Sequence, residues 1–189
     1  MAKHWFTADL HLGHANIIRY CFRPFKTLDK MNETLIRNWN ERVKPEDTVF
    51  HVGDFCFRNS SNKRREGIRK SAQEWEQQLN GKIIFLKGNH DRNNSCRTII
   101  DRLVIGYGGH RVNLVHNPEH ADVNYKINFT GHVHQKWEIK RTKGWTSWQF
   151  TDCINVGVDV WKFRPVSFEE IMKRYYIYIK GDNNETDNR

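Results

Sequence analysis

Six short apolar, β-prone runs, residues 5–8, 48–52, 83–86, 112–115, 127–130 and 155–158, restrict the possible folds of this chain more than any other feature. Each has the length and the β-branched or aromatic content of a buried strand and is too short for a self-sufficient helix. Between the first two, Met31, Leu35, Ile36, Trp39 and Val43 recur at helical spacing behind a candidate cap at Asp29, and Pro45 ends the pattern. Between the second and third, Ile68, Ala72, Trp75 and Leu79 do the same, from near Ser61 to a closing Gly81. Strand, helix, strand, helix, strand implies right-handed crossovers and a parallel start to the sheet, hence an α/β fold. From Arg111 onward the links are short and turn-like, which predicts antiparallel pairing there. A capping box, Ser167 to Glu170, starts a last helix shortly after Pro165. Residues 181–189 carry no apolar side chain and are expected to form a disordered tail, which leaves one domain over residues 1–180.

Composition narrows the setting. No stretch approaches the roughly 18 apolar residues of a membrane span, and the opening residues lead straight into a strand rather than an apolar leader, so a cytoplasmic protein without membrane partners is expected. Cys21, Cys56, Cys96 and Cys153 are far apart and form no C-x-x-C pair, which argues against a disulfide scaffold and a zinc–thiolate site. The 31 Lys and Arg against 22 Asp and Glu, a formal charge of +9, favour anionic partners such as phosphate esters or nucleic acid.

Polar residues fall at the ends of the runs. Asp9 and His11 follow the first, Gly53-Asp54 the second, Gly88-Asn89-His90-Asp91 the third, His116 the fourth and Gly131-His132-Val133-His134 the fifth. Carboxyl ends of parallel strands share one edge of a sheet, where ligand sites form, so these exits converge. Carboxylate, imidazole and amide oxygen suit Mn²⁺, Fe, Zn²⁺, Co²⁺ or Ni²⁺. Asp9, His11, Asp54, Asn89, His116, His132 and His134 outnumber one ion's needs, and a bridging Asp54 would give each of two ions four protein ligands. In two-metal hydrolases such ions lie about 3.5–4 Å apart, share a hydroxide and stabilise both oxygens of an in-line displacement. Taken singly, each residue has a plainer role: Asp9 a strand-end cap, Asp54 a turn, Asn89 a left-handed turn residue, His116 the start of a turn. The shared order and position make those roles jointly improbable.

The series Asp9-x-His11, Gly53-Asp54, Gly88-Asn89-His90-Asp91, His116, Gly131-His132-x-His134 resembles the signature of the calcineurin-like metallophosphoesterases. That resemblance implies a single-domain β-sandwich of mixed sheets flanked by helices. It implies two divalent ions, Mn²⁺ foremost with Fe, Zn²⁺, Ni²⁺, Co²⁺ or Mg²⁺ as alternatives. Asp9, His11, Asp54 and His134 would hold one ion, and Asp54, Asn89, His116 and His132 the other. A hydroxide shared by the ions would attack phosphorus while His90 assists the leaving group as general acid or positive stabiliser, with Asp91 orienting His90 or tuning its pKa. Gly53-Asp54-Phe55-Cys56-Phe57-Arg58 and Gly-Asn-His-Asp depart from the Asp-Arg-Gly and Gly-Asn-His-Glu elements of protein phosphatases in the superfamily. The chain is thereby similar to small bacterial and phage members, which implies a phosphodiesterase acting on a nucleotide, cyclic nucleotide or nucleic-acid end. The alternatives are a phosphomonoesterase and, in a different class, a non-catalytic metal-binding scaffold.

Other polar residues are read more plainly. His14 lies near the mouth of the site and could touch substrate or face solvent. Arg23 and Arg58 could grip phosphate oxygens bidentately or be solvated. His51, inside the second run, is expected to be a hydrogen-bonded core residue. The basic, tryptophan-bearing stretch 136–148 suits a single-strand binder or a plain β-hairpin.

Overall fold

The computed structural model describes residues 2–57, 70–91, 96, 98–144 and 148–186, with side chains as far as 181. In chain order its elements are β1 (His4–Thr7), α1 (Ala15–Tyr20), α2 (Leu28–Asn40), β2 (Thr48–Val52), α3 (Ala72–Glu76), β3 (Lys82–Leu86), β4 (Arg102–Tyr107), β5 (His110–Val115), β6 (Ile127–Thr130), β7 (Ile139–Lys143), β8 (Phe150–Asn155), β9 (Val166–Ser167) and α4 (Phe168–Thr186). One sheet has the order β3-β2-β1-β9, its first three strands parallel and β9 antiparallel at the edge. The other has the order β4-β5-β6-β8-β7. The result is the expected mixed α/β sandwich flanked by helices.

Alternation along the strands sorts the two cores. Phe6, Phe50 and Val52 of the first sheet meet Val112, Leu114, Ile127, Phe129 and Ile154 of the second, and α4 adds Phe168, Ile171 and Tyr175. Trp5 and Val49 face the other way, against Ile17, Met31, Leu35 and Trp39 of α1 and α2 and Ala72 and Trp75 of α3. His51 shares that second face, but the expected hydrogen bond is not made among the described residues: both ring nitrogens are buried without a partner there, against Phe55 and Phe85. Burial pushes its pKa down to about 4, so the ring is neutral at physiological pH.

Antiparallel pairing in the second half is confined to β4 and β7, because β5, β6 and β8 are parallel. The links that look like turns are crossovers, one through a 3-10 turn at Pro118–His120 and one through β7. The three parallel strands are buried along most of their length, the usual condition of parallel pairing. Nor is 155–158 a strand. β8 ends at Asn155, whose amide donates to His134 O and Trp137 O while its oxygen accepts from Gly157 N, and Val158–Val160 is a 3-10 turn. Of the stretch 136–148, Ile139–Lys143 form β7, which pairs with β8 antiparallel; Trp137 precedes β7, Trp148 is exposed before β8, and residues 145–147 lie outside the described residues.

Helix ends differ in detail from expectation. Thr27, not Asp29, caps α2, and Asp29 lies in the first turn, where its charge complements the helix dipole. α3 begins at a Ser71–Glu74 capping box; the expected start near Ser61 lies outside the described residues. The Ser167–Glu170 box forms as expected, and α4 continues to Thr186, into the tail expected to lack structure. Among the described residues no helix is long and apolar enough to cross a membrane.

Asp47 fixes the start of the first sheet: its buried carboxylate accepts from Lys3 N, Trp5 Nε1 and Lys44 N at 2.7–2.9 Å. Burial opposes its charge, yet these donors hold the carboxyl below its ordinary 3.8. Asp47→Ala, which strands three donors, should cost about 2–3 kcal/mol in a urea unfolding experiment. A depressed carboxyl pKa stabilises above the unfolded value and loses that contribution as pH falls through the folded one. The gap between wild type and variant should therefore shrink below about pH 4.

Candidate metal centre

Strands β1, β2 and β3 discharge Asp9, His11, Asp54 and Asn89 onto one edge, and β5 and β6 bring His116, His132 and His134 to it from the other sheet. Sheet packing joins the two sets. His132 N donates to both oxygens of Asp9 at 3.1 and 2.9 Å. Asp54 Oδ2 lies 3.4 Å from His11 Nε2 and 3.3 Å from His116 Nε2, while its Oδ1 accepts from His90 N at 2.9 Å. Asn89 Oδ1 lies 3.1 Å from His116 Nε2 and 2.9 Å from His132 Nδ1. Donor atoms at right angles about 2.1 Å from one ion sit about 3.0 Å apart, the spacing found here. Among the described residues, Asp9, His11 and His134 bring their donor atoms within 4.8 Å of one another, and so do Asp9, Asp54 and His116.

Hydrogen bonds behind the rings fix which nitrogen faces inward. His116 Nδ1 is 2.8 Å from Val52 O, His134 Nδ1 is 2.9 Å from Asp159 Oδ2, and His11 Nδ1 is 3.2 Å from His14 Nδ1. Val52 O and the Asp159 carboxylate can only accept, so His116 and His134 carry a proton on Nδ1 and their Nε2 is left for a cation; the His11–His14 contact is compatible with the same tautomer of His11. His11 Nε2 is buried and, among the described residues, has no hydrogen-bond partner. The donor set therefore fits a divalent ion.

Electrostatics lead to the same conclusion. Burial pushes the Asp9 carboxyl up to about 6 and holds His11 well below 6.5. Burial also opposes charge on His116 and His134, yet Asp54 and Asp9 lift the first to about 9, and Asp159 is the main cause lifting the second to about 10. For Asp54 burial is outweighed by His116, which holds the carboxyl below 3.8. The buried carboxylates thus draw protons onto their neighbours, a balance that a metal cation supplies instead.

Backbone conformation explains why these side chains aim inward. Asp9, His11, Asp54, His132 and His134 have φ of 57°, 50°, 58°, 70° and 51°, the left-handed region, which costs each about 1 kcal/mol. Five of the seven candidate ligands thus turn the chain abruptly at a strand exit. Glycines make room for them. A Cβ on Gly53 would strike the His116 ring, one on Gly88 the Asp54 carboxylate and amide, and one on Gly131 would lie 2.8 Å from Asp9 Oδ2.

His90 is half-buried, its ring centroid 5.3 Å from that of His11 and 6.0 Å from that of His14. Asp91 accepts from Gly88 N, Asp54 N and Phe55 N at 2.7, 2.8 and 3.1 Å, and so clamps the β2 and β3 exits together. His14 is in the site but buried, its ring stacked 4.2 Å from that of Phe57. Arg23 is neither solvated nor available to substrate: it is buried, with Nε and Nη2 gripping Asp159 at 2.8 and 2.9 Å. Arg58 lies outside the described residues. Sequence reasoning missed Asp159, which supports His134, and Gly157, where a Cβ would lie 2.7 Å from Asp9 Oδ2. The signal was a sixth strand exit, concealed by extending a strand over 155–158.

A mixed sandwich whose parallel strands deliver Asp, His and Asn to one shared edge is the architecture of a metal-binding phosphoesterase domain. Residues 2–162 match the family model described as calcineurin-like phosphoesterase, and the chain belongs to that family. It is 37% identical over 180 residues to the uncharacterized protein MJ1445 of Methanocaldococcus jannaschii, covering 92% of this chain and 91% of that one. It is 27% identical over 206 residues to the gene 66 protein of Mycobacterium phage L5, covering 90% and 93%. The crystal structure of AQ665 from Aquifex aeolicus, a protein of unknown function, superposes with a TM-score of 0.65 at 25% identity, covering 92% of this chain and 99% of that one. Family membership points to metal-dependent phosphoester hydrolysis, and the Asp and His clusters are compatible with divalent metal binding.

Gly157 has φ −61°, so only space restricts its side chain. Gly157→Ala should displace the Asp9 carboxylate and weaken Mn²⁺ binding roughly 10-fold in a calorimetric titration. Its far-UV spectrum should remain that of the wild type.

Proposed function

We propose that the chain is a dinuclear phosphodiesterase acting on a nucleotide, a cyclic nucleotide or a nucleic-acid end. Asp9, His11, Asp54 and His134 would hold one ion, and Asp54, Asn89, His116 and His132 the other, with Mn²⁺ the favoured metal. The observation that carries this reading is the position of Asp54 Oδ2 between His11 Nε2 and His116 Nε2, at 3.4 and 3.3 Å, where one carboxylate can serve both ligand sets. When bound, two divalent ions supply Lewis-acid charge for the phosphoryl oxygens and lower the pKa of water.

The chain's own residues do the rest. His90 is held by its backbone N–H on Asp54 Oδ1, on the turn that Asp91 clamps, and its ring stands beside those of His11 and His14. From there its imidazolium would give a proton to the departing alkoxide oxygen. His14, buried behind His11, would hold the His11 ring in place. A cleft of about 430 Å³ opens beside Asn89, His116 and His132, and its outer wall includes Lys87, Asn117 and His120. That is room for the part of a substrate beyond the scissile phosphate, and the formal charge of +9 suits an anionic one.

The test pairs bis-p-nitrophenyl phosphate and 2′,3′-cyclic nucleotides with p-nitrophenyl phosphate, all with Mn²⁺. Diesters should be cleaved with the higher kcat/KM; a preference for the monoester would make this a phosphatase, and a metal-loaded protein inert to all three would make it a scaffold. His90→Ala should lower kcat by about 10²–10⁴ with metal content unchanged. Asp54→Ala should lose activity and metal together, as measured by elemental analysis.

A further inference from the structure

One side chain bonds to the supports of the first ligand set and, among the described residues, makes no hydrogen bond to Asn89, His116 or His132 of the second. Arg23 Nη2 donates to Asp9 O at 2.6 Å and Nη1 to Leu10 O at 3.0 Å, which are the carbonyls of the β1 exit. That exit is the segment in which Asp9 and His11 take left-handed conformations. Nε and Nη2 of the same guanidinium form a fork on the two oxygens of Asp159 at 2.8 and 2.9 Å, and Asp159 Oδ2 accepts from His134 Nδ1 at 2.9 Å. The Arg23 and Asp159 side chains are 0% and 2% exposed, so this pair is sealed from water. Arg23 also packs on Met31 of α2, with Nη1 3.5 Å from Sδ.

Asp9, His11 and His134 form one of the two groups whose donor atoms converge; Arg23 bonds to the carbonyls of Asp9 and Leu10, on either side of which the Asp9 and His11 side chains leave the chain, and to the Asp159 carboxylate that holds His134. On the other side of the site, His116 leans on Val52 O, and His132 and Asn89 meet each other directly. The groups behind the rings differ between the two halves, which meet where His132 N donates to the Asp9 carboxylate. A charged pair buried this deeply is costly unless every donor and acceptor is used, and here the guanidinium uses Nε, Nη1 and Nη2 while the carboxylate receives both arginine and histidine. Lysine could not replace it, because one ammonium cannot form the planar fork and reach two carbonyls at once.

We propose that Arg23, acting through Asp159 and the β1 exit, is a positioning residue that sets the ligands of the first ion before that ion arrives. The inference rests on the dinuclear reading above. Its consequence is that damage to the pair removes one ion, not both. Asp159 fixes the proton of His134 on Nδ1 and leaves Nε2 for the metal. Arg23 neutralises Asp159 and caps the carbonyls of a strained turn.

The test uses the full chain with Mn²⁺ alone. Equilibrium dialysis followed by elemental analysis counts the ions per chain, and electron paramagnetic resonance distinguishes a spin-coupled pair, with its halved hyperfine spacing, from an isolated ion. Wild type should bind two ions as a coupled pair. Arg23→Lys and Asp159→Asn should each retain one ion with a six-line isolated spectrum, the second being bound roughly 10- to 100-fold more weakly. Circular dichroism establishes that each variant is folded; should Arg23→Lys fail to fold, the nearly isosteric Asp159→Asn decides. Two ions bound with wild-type affinity in folded Asp159→Asn would overturn the proposal, as would loss of both ions together. Wild type binding fewer than two ions would overturn the dinuclear reading and the proposal with it, an outcome distinct from a difference between wild type and variant.

Discussion

Too many lone pairs in too small a space is the condition that organises this protein. Oxygen atoms of Asp54 and Asn89 sit within about 3.5 Å of imidazole nitrogens, the Asp54 contacts buried where water cannot dilute the repulsion and the Asn89–His132 contact open to the cleft. The structure tolerates this only because positive charge enters among them, as protons drawn onto His116 and His134 or as metal ions. The left-handed exits, the glycine bed and the supports behind each ring are ways of holding groups that would otherwise move apart.

Those supports are chemically graded. His116 leans on a peptide carbonyl, His11 on the neutral imidazole of His14, and His134 on a carboxylate that a guanidinium neutralises. A carboxylate makes the histidine it holds more electron-rich than a carbonyl does. The two halves of the site are thus unequal, although histidines serve both.

The sandwich itself determines which residues can cooperate. β1, β2 and β3 supply Asp9, His11, Asp54 and Asn89 from one sheet, and the other sheet supplies His116, His132 and His134. Inter-sheet packing of Phe6, Phe50 and Val52 against Leu114 and Phe129 sets the distance between these two groups. Stability of the core and geometry of the site are therefore one property, and a core substitution that shifts the sheets would be felt at the metal edge.

The sequence by itself determined the strand runs, the polar residues at their exits and the glycines beside them, because burial and close approach leave few residue types at such positions. It therefore named all seven residues that the structure brings together at the edge, along with His90. It did not determine pairing direction in the second sheet, since a short link reads alike whether it closes a hairpin or crosses to a parallel neighbour. It also gave Arg23 the wrong surroundings, because an arginine's partner 136 positions away leaves no local trace. Asp159 was hidden for a related reason: β8 ends at Asn155, where amide bonds to His134 O, Trp137 O and Gly157 N turn a β-prone run into an exit. Which groups are present is written in local physical chemistry, whereas which group neutralises which depends on distances that exist only once the two sheets have packed.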